Sequence, residues 1–197
     1  MNFCSLRKNL KKIAKMKGKF IVILIMCFLR SVAQDTESFN KLLSENQLVF
    51  EKPDGFTECE VVKNPNLFYN YAMKDNQDLF EVRYTIVPLD SIKNRSGDSM
   101  FIANLINVSH TKVENLPKNG AVSTKDIKNQ YGADSGRVSA IFEANSTFSK
   151  GYKYCMMLFL HKENVANVYM SYLSDDDNHE SFKKNLIKVL PALKFRQ

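Results

Sequence analysis

The chain has 197 residues, of which 44% are apolar and 25% charged, with seven glycines and five prolines. This composition is typical of a folded globular protein, and it excludes collagen-like and intrinsically disordered chains. The net charge of +7 comes from one end, because residues 1–33 hold eight of the 28 basic residues and none of the 21 acidic ones. The remainder, with 20 basic and 21 acidic residues, is close to neutral. We therefore expect no nucleic-acid partner.

The first 33 residues have the order of a secretory signal peptide. Basic residues that end at Lys19 are followed by ten apolar residues, Phe20–Leu29, and then by Ser31, Val32 and Ala33. Signal peptides combine a basic region, a short apolar region and small residues before the cleavage site, so we predict cleavage after Ala33. Ten helical residues span about 15 Å, half of the roughly 30 Å hydrocarbon layer, which argues against a membrane anchor.

Two alternatives concern this same segment. Translation that starts at Met16 gives a shorter but complete signal, because a basic pair and the apolar run follow directly. Cys27 suggests lipidation, but Met26 before it is too large for a lipoprotein signal. The segment predicts an exported protein, periplasmic or secreted, with no stable membrane span after cleavage.

The remaining residues predict one domain with a single core. Residues 34–46 are a short helix or a lead-in, and residues 47–197 form the domain. Turns that contain proline, glycine or asparagine separate four predicted strands, over residues 48–51, 56–62, 68–73 and 80–89. Helices are predicted over residues 98–114 and 123–131, where the apolar spacing changes to three and four residues.

The last third predicts an antiparallel meander followed by a helix. Strands over residues 137–144, 152–161 and 165–173 have short connections, as antiparallel neighbours do. The middle strand is apolar on both faces, so we expect it to lie inside the sheet with both faces covered. An amphipathic helix with an apolar stripe from Phe182 to Leu193 closes the chain, and Pro191 ends its regular part.

The segment Leu-Val-Phe-Glu-Lys-Pro-Asp-Gly-Phe at residues 48–56 is similar to the opening strand and turn of PsbP-type and DcrB-type proteins. The three late strands and a helix ending in Ala192–Phe195 resemble the close of the same domains. This resemblance covers most of residues 47–197 and implies an α+β fold, an α/β/α sandwich with a mostly antiparallel sheet flanked by helices. Proteins of this kind are exported accessory proteins that bind partners and lack catalysis. Residues 129–134 are also similar to small exported proteins of Bacteroidota, and no functional residues transfer from either group.

Cys59 and Cys155 are the two cysteines beyond the signal segment. An oxidising compartment permits a disulfide between them if their Cα atoms come within about 7 Å. The alternative is two separate thiols, with Cys155 buried in its strand as a small apolar residue.

Candidate metal and catalytic residues have simpler structural interpretations. Asp175–Asp177, Asn178 and His179 offer metal-binding atoms, but helix capping and the helix dipole explain acids at this position. His110 and His161 have no nucleophile or acid at a motif spacing, and the sequence lacks nucleophile-elbow, zinc-helix and phosphate-loop motifs. We therefore predict no enzyme, and no catalytic, cofactor-binding or metal-binding residues.

Two further sets of residues concern modification and recognition. Asn94, Asn107 and Asn145 begin N-glycosylation triplets, which matter only in a host that glycosylates them. Most members of an aromatic set are expected in the sheet core, and the rest could serve a ligand or partner. The set comprises Phe68, Tyr69, Tyr71, Tyr152, Tyr154, Tyr169 and Tyr172.

The sequence thus favours an exported, non-enzymatic accessory or binding protein that contacts an unknown protein partner in the cell envelope. The first alternative is a small-ligand or metal-binding protein with a pocket between sheet and helix. The second is a hydrolase, which requires His110, His161 or His179 to meet a carboxylate, hydroxyl or thiol in a cleft.

Overall fold

The computed structural model of the chain describes residues 36–77, 79–89, 97–175 and 179–197. The predicted signal segment lies outside the described residues, as do Asn94 and residues 176–178. The chain divides into two units, residues 1–40 and residues 41–197. Of the first unit, residues 36–40 are described and are helical. The second unit contains all of the described strands.

Ten strands are present among the described residues. They are β1 Leu48–Phe50, β2 Phe56–Glu58, β3 Tyr71–Asp75, β4 Phe80–Pro88, β5 Asn119–Ala121, β6 Ser135–Ser139, β7 Phe142–Glu143, β8 Tyr154–Lys162, β9 Ala166–Ser174 and β10 Leu193–Phe195. Eight of them form one sheet with the order β2-β3-β4-β9-β8-β6-β5, and β7 pairs with β8 beside this path. The other two, β1 and β10, form a separate sheet, and every described pair in both sheets is antiparallel.

Five α-helices accompany the strands in the described part of the chain. They are α1 over residues 36–45, α2 Gly97–Ser109, α3 Thr124–Tyr131, α4 Ser146–Ser149 and α5 His179–Val189, with short 3-10 turns at Val113–Asn115 and Leu190–Ala192. None of these helices has the length and apolar character needed to cross a membrane. The fold is mixed α and β with a mostly antiparallel sheet, which confirms the predicted class at that level.

The core lies on both faces of the long central strands. All nine residues of β9 are buried, because β4 and β8 pair with it and side chains cover both of its faces. On one face, the Phe101 ring of α2 lies 5.9 Å from the ring of Phe159 in β8. On the other, Phe182 of α5 packs edge-on against Phe80 of β4 at 5.4 Å.

The predicted meander is confirmed, because β6, β8 and β9 are antiparallel neighbours. Its first strand, predicted as one segment over residues 137–144, is instead β6 followed by β7. Val138 pairs with Leu158, and Phe142 pairs with Cys155. The chain therefore advances four residues on one side, from 138 to 142, and three on the other, from 158 to 155. This extra residue is a β-bulge. The Ser139 hydroxyl accepts a hydrogen bond from the Met157 backbone N–H at 2.9 Å and occupies the gap in the ladder.

The prediction that the last helix extends to Leu193 and Phe195 is wrong. Helix α5 ends at Val189, and Pro191 lies in the following 3-10 turn because its ring fixes φ and it has no N–H to continue the helix. Both Leu193 and Phe195 are buried in β10, which pairs with β1 near the other end of the chain. The pairing partner is about 145 residues away in sequence, and the local helical pattern does not reveal it.

Gly132 ends α3 at a site where a side chain has no room. Its φ is 63°, its N–H donates to the Lys128 carbonyl, and an added Cβ would lie 2.8 Å from the backbone oxygen of Phe195. Gly55 also has a positive φ, 80°, but an added Cβ there would meet nothing within 4 Å.

We expect Gly132→Ala to lower the free energy of unfolding more than Gly55→Ala. In both variants the alanine must adopt a left-handed backbone conformation, which lowers the free energy of unfolding by about 1–2 kcal/mol. Only Gly132→Ala must also displace β10, at a further cost of about 1–3 kcal/mol. Urea unfolding of the two variants measures the difference, and equal losses would contradict the close approach to Phe195.

Candidate functional site

A groove of about 270 Å³ opens between the sheet and α2. Thr85 and Val87 of β4 and Tyr169 of β9 line its base. The remaining lining residues come from a loop and from α2 and are Asn64, Pro65, Asn66, Leu67, Phe68, Met100 and Asn104. No charged side chain lines this groove in the described part of the chain. We call it the sheet–α2 groove.

A second depression adjoins the sheet–α2 groove over α2. A neighbouring depression of about 380 Å³ is lined by Ser99, Met100, Ala103, Asn104 and Asn107. Because Met100 and Asn104 belong to both depressions, the two form one uncharged surface.

Hydrogen bonds hold the loop wall of the groove in place. The Asn64 side-chain oxygen accepts from the backbone N–H of Asn66 at 3.0 Å, which forms a turn around Pro65. The side-chain amide of Asn64 donates to the Phe148 carbonyl at 2.9 Å, and that of Asn66 donates to the Asn107 carbonyl of α2 at 3.1 Å. The wall is therefore tied to both α2 and α4, and the groove is preformed.

Arg83 of β4 supports this wall from inside the core. Its guanidinium lies between the rings of Tyr69 and Phe148, 5.0 Å from each centroid. It donates to the carbonyls of Phe148 and Ser149, and its Nε is paired with the Glu81 carboxylate. One buried cation thus joins β4, the loop and α4 beneath the groove.

Two buried polar atoms at the groove have no hydrogen-bond partner among the described residues. They are the hydroxyl of Tyr169 and the side-chain oxygen of Asn66. Tyr169 is 1% exposed, its ring is stacked on Phe159 at 5.0 Å, and burial raises the pKa of its hydroxyl, which stays protonated at neutral pH. Phe68, by contrast, is 53% exposed at the rim. The rim of the groove thus carries an exposed ring, whereas the two polar atoms without a partner among the described residues are enclosed by the lining.

Cys59 and Cys155 do not form a disulfide. Cys59 follows β2 at the edge of the sheet, whereas Cys155 lies in β8, and three strands separate β2 from β8. At about 4.8 Å between strands the two are about 19 Å apart, well beyond bridging distance. Cys155 is fully buried; burial raises the pKa of its thiol, and the nearby Arg83 only partly opposes that effect.

We expect the two thiols to differ strongly in alkylation. In the folded protein at mildly alkaline pH, iodoacetamide should modify half-buried Cys59, while Cys155 reacts only after unfolding because burial disfavours its thiolate. Mass spectrometry of the two peptides measures both rates in one sample. Equal labelling of the folded protein would contradict the burial of Cys155.

The histidines do not meet at a reactive centre in the described structure. His110 is exposed just after α2 with a φ of 54°, and His161 places Nδ1 2.8 Å from the side-chain oxygen of buried Asn167. Within the described residues, no group of three or more His, Cys, Asp and Glu side chains could hold a metal ion. Of the acidic segment only Asp175 is described, and it is exposed; His179 begins α5.

The sequence-predicted aromatic set divides as expected between core and surface. Tyr69, Tyr71, Tyr169 and Tyr172 are buried, Tyr152 and Tyr154 are half-buried, and Phe68 is exposed at the groove. Two of the predicted glycosylation triplets are described. Asn107 is exposed on α2, and the Asn145 side chain accepts from the Thr147 N–H at 2.9 Å to cap α4.

Sequence reasoning missed the asparagines of the groove. Asn64 and Asn66 fall in a turn between two predicted strands and Asn104 falls within the predicted helix 98–114, and no motif singles them out. Their combined position depends on β4 and α2 meeting the loop, and no local pattern marks it. The sequence matches no protein-family model, and no curated protein is similar to it at a significant level.

Proposed function

We propose that this chain is an exported, non-enzymatic binding protein of the cell envelope and that the sheet–α2 groove is its recognition site. The observation that carries this proposal is the groove itself, which is preformed, uncharged and rimmed by exposed Phe68. The order of residues in the first 33 positions supports export. Helices on both faces of the antiparallel sheet support an α/β/α sandwich of the PsbP type.

The chemistry of the lining favours binding over catalysis. Its polar side chains are amides and hydroxyls, which donate and accept hydrogen bonds but do not exchange protons near neutral pH. The loop also exposes Val62, whose backbone N–H donates to the Tyr69 hydroxyl at 3.0 Å. Val62 and Phe68 thus give the loop of residues 59–70 two exposed apolar side chains, which suits a protein partner in the envelope.

A photo-crosslinking amino acid at position 68 tests this function in the native host. We expect a reproducible adduct at Phe68 and none at Ile187, an equally apolar residue that is 71% exposed on α5 and lies outside the groove lining. The intact mass of each adduct separates a protein partner from a small molecule. Adducts at both positions, or at neither, would contradict the assignment of the groove.

A further inference from the structure

A row of tyrosines crosses the sheet on the face opposite the sheet–α2 groove. Tyr71 of β3 pairs with Tyr84 of β4, and their rings lie 6.1 Å apart. Tyr84 also pairs with Met170 of β9, and Tyr172 lies two residues further along that strand, on the same face. Aromatic side chains in such diagonal positions are within reach of each other. The three rings therefore lie side by side over β3, β4 and β9.

Tyr131 of α3 extends the row at its β9 end. Burial raises the pKa of Tyr172, and the nearby hydroxyls of Tyr84 and Tyr131 add to this effect. Burial likewise raises the pKa of Tyr84, with a further contribution from Tyr71. Each hydroxyl therefore lies near the next, in the order Tyr131, Tyr172, Tyr84, Tyr71. We call these four residues the tyrosine row.

The two central hydroxyls of the row are costly for a purely structural core. Tyr84 and Tyr172 are fully buried. The Tyr84 hydroxyl has no partner among the described residues, and the Tyr172 hydroxyl donates to the thioether sulfur of Met170 at 3.5 Å, a weak acceptor. Phenylalanine would fill nearly the same space without the cost of desolvating a hydroxyl. Buried polar groups of this kind call for a role other than packing, and tyrosine offers redox chemistry.

The row ends beside a proton acceptor at the edge of the sheet. The Tyr71 hydroxyl donates a hydrogen bond to the carboxylate of Glu58, whose side chain is 34% exposed on the edge strand β2. Loss of an electron makes a tyrosine hydroxyl strongly acidic, so a carboxylate within hydrogen-bond reach takes up its proton. In the described part of the chain, no carboxylate contributes in this way at Tyr84 or Tyr172. An oxidised tyrosine is therefore most stable at Tyr71.

We propose that the tyrosine row carries single oxidising equivalents across the core to Tyr71, where Glu58 receives the proton. This inference goes beyond the binding function and does not depend on the sheet–α2 groove. A one-electron oxidant, such as an inorganic radical or a high-valent metal ion, takes an electron from Tyr131. Tyr131 regains an electron from Tyr172, Tyr172 from Tyr84, and Tyr84 from Tyr71.

One electron and one proton leave Tyr71 in the complete transfer. The electron reduces the oxidant, and the proton passes from the Tyr71 hydroxyl to a carboxylate oxygen of Glu58. The product is a neutral tyrosyl radical at the sheet edge. A small thiol in solution restores the tyrosine by donating a hydrogen atom and becomes a thiyl radical, while Glu58 releases its proton to water. Oxidation is thus led away from buried Met170, whose sulfoxide would disrupt the core.

A photo-oxidant fixed at the Tyr131 end of the row tests the transfer. Asn129, exposed on α3, is replaced by cysteine and labelled with a ruthenium(II) polypyridyl complex. Cys4, Cys27 and Cys59 are replaced by serine in this parent protein, and Cys155 is buried. A laser flash with hexaammineruthenium(III) as quencher turns the label into a one-electron oxidant. Electron paramagnetic resonance detects the radical, and a nitroso spin trap with peptide mass spectrometry identifies the residue that carries it. We expect trapping at Tyr71.

Three variants of the labelled protein separate the row from other routes. Tyr84→Phe keeps the ring but breaks the row, so trapping at Tyr71 should fall to the level seen without light, and sulfoxide at Met170 should increase. Glu58→Gln keeps a hydrogen-bond acceptor that cannot take up the proton, and it should lower the yield of the Tyr71 radical. Tyr169→Phe is the matched control and should change neither yield. Like Tyr84, Tyr169 is buried and has a hydroxyl without a partner among the described residues, but it lies on the other face of the sheet.

Three results would overturn the proposal. Trapping confined to Tyr131 would show that no transfer takes place. Equal trapping at Tyr71 in the parent and in Tyr84→Phe would show that the row is not the path. An equal loss in Tyr169→Phe would show that the yield does not depend on the row. Circular dichroism of each labelled variant verifies that the comparison is made between folded proteins.

Discussion

Replacing Arg83 by methionine is expected to lower the free energy of unfolding by about 3–5 kcal/mol. Arg83 is only 3% exposed, and its guanidinium makes an ion pair with Glu81 and hydrogen bonds to the carbonyls of Phe148 and Ser149. Methionine fills much of the same space but leaves the Glu81 carboxylate without its cation. A buried charge that loses its partner costs more than the intact pair contributes.

Urea unfolding at neutral pH measures this loss, and two further variants identify its origin. The double variant Arg83→Met with Glu81→Gln should recover part of the stability, because no charge is then left unpaired. Arg137→Met is the matched control, since Arg137 pairs with exposed Asp98 at 3.6 Å and such a pair contributes about 0–1 kcal/mol. A loss below about 1 kcal/mol for Arg83→Met would show that the buried pair is not a central stabilising contact.

The Arg83 variant should also affect the sheet–α2 groove. Arg83 holds the carbonyls of Phe148 and Ser149, and the Asn64 amide donates to the same Phe148 carbonyl. Loss of the guanidinium therefore removes support from the segment to which the groove wall is attached. We expect hydrogen exchange of the Leu67 backbone amide to accelerate in Arg83→Met, and unchanged exchange there would separate the groove from this core contact.

The second large effect is alkaline unfolding above about pH 10. Burial raises the pKa of five of the eight tyrosines, and the Glu58 carboxylate adds to the shift for Tyr71. These residues are Tyr71, Tyr84, Tyr131, Tyr169 and Tyr172. Each keeps its proton in the folded state at a pH where the unfolded chain has lost it.

The sign follows from proton binding. Between the ordinary tyrosine pKa of about 10 and the raised folded value, the folded state binds more protons, so stability falls as pH rises. The contribution of the neutral tyrosines is fully present below pH 10. For the two most buried, Tyr84 and Tyr172, the loss together is about 2.8 kcal/mol per pH unit.

Absorbance near 295 nm and circular dichroism, followed together through the alkaline range, measure this coupling. The chain has no tryptophan, so tyrosinate absorbance is free of that overlap. We expect ionisation of the buried tyrosines and loss of secondary structure in one steep step. Tyr84→Phe removes a hydroxyl that has no partner among the described residues, and it should reduce the pH slope by about 1.4 kcal/mol per unit. Reversible titration of these five tyrosines near pH 10 with the fold intact would contradict their burial.

The strands and helices predicted best are those in which apolar residues recur at a regular spacing along the element. The predicted strands 80–89 and 165–173 correspond to Phe80–Pro88 and Ala166–Ser174, and the predicted helix 123–131 corresponds to Thr124–Tyr131. Alternating apolar residues or a glycine in the left-handed region set these elements locally. Strand β10 does not follow from the local pattern because its partner β1 lies about 145 residues away, and the bulge at Ser139 does not because it depends on the register between two strands.

The groove likewise could not be predicted from local sequence patterns. Its lining comes from residues 64–68, from β4, from α2 and from Tyr169, four segments that meet only in the folded chain. From the sequence alone, Phe68 and Tyr169 belong to one aromatic set, and nothing distinguishes their roles. The fold leaves the Phe68 ring exposed at the rim and buries the Tyr169 hydroxyl at the base without a partner among the described residues.

The sequence by itself determined the separation of charge, the near-neutral folded part and the periods of the long strands and helices, because these properties depend on residue type and short-range spacing. Only the tertiary structure decided that Cys59 and Cys155 are too far apart for a disulfide, that β10 replaces the end of a helix and that an uncharged groove lies between the sheet and α2. Each of these outcomes depends on chain segments far apart in sequence, whose pairing is fixed by closing long loops and by competition for burial in one core.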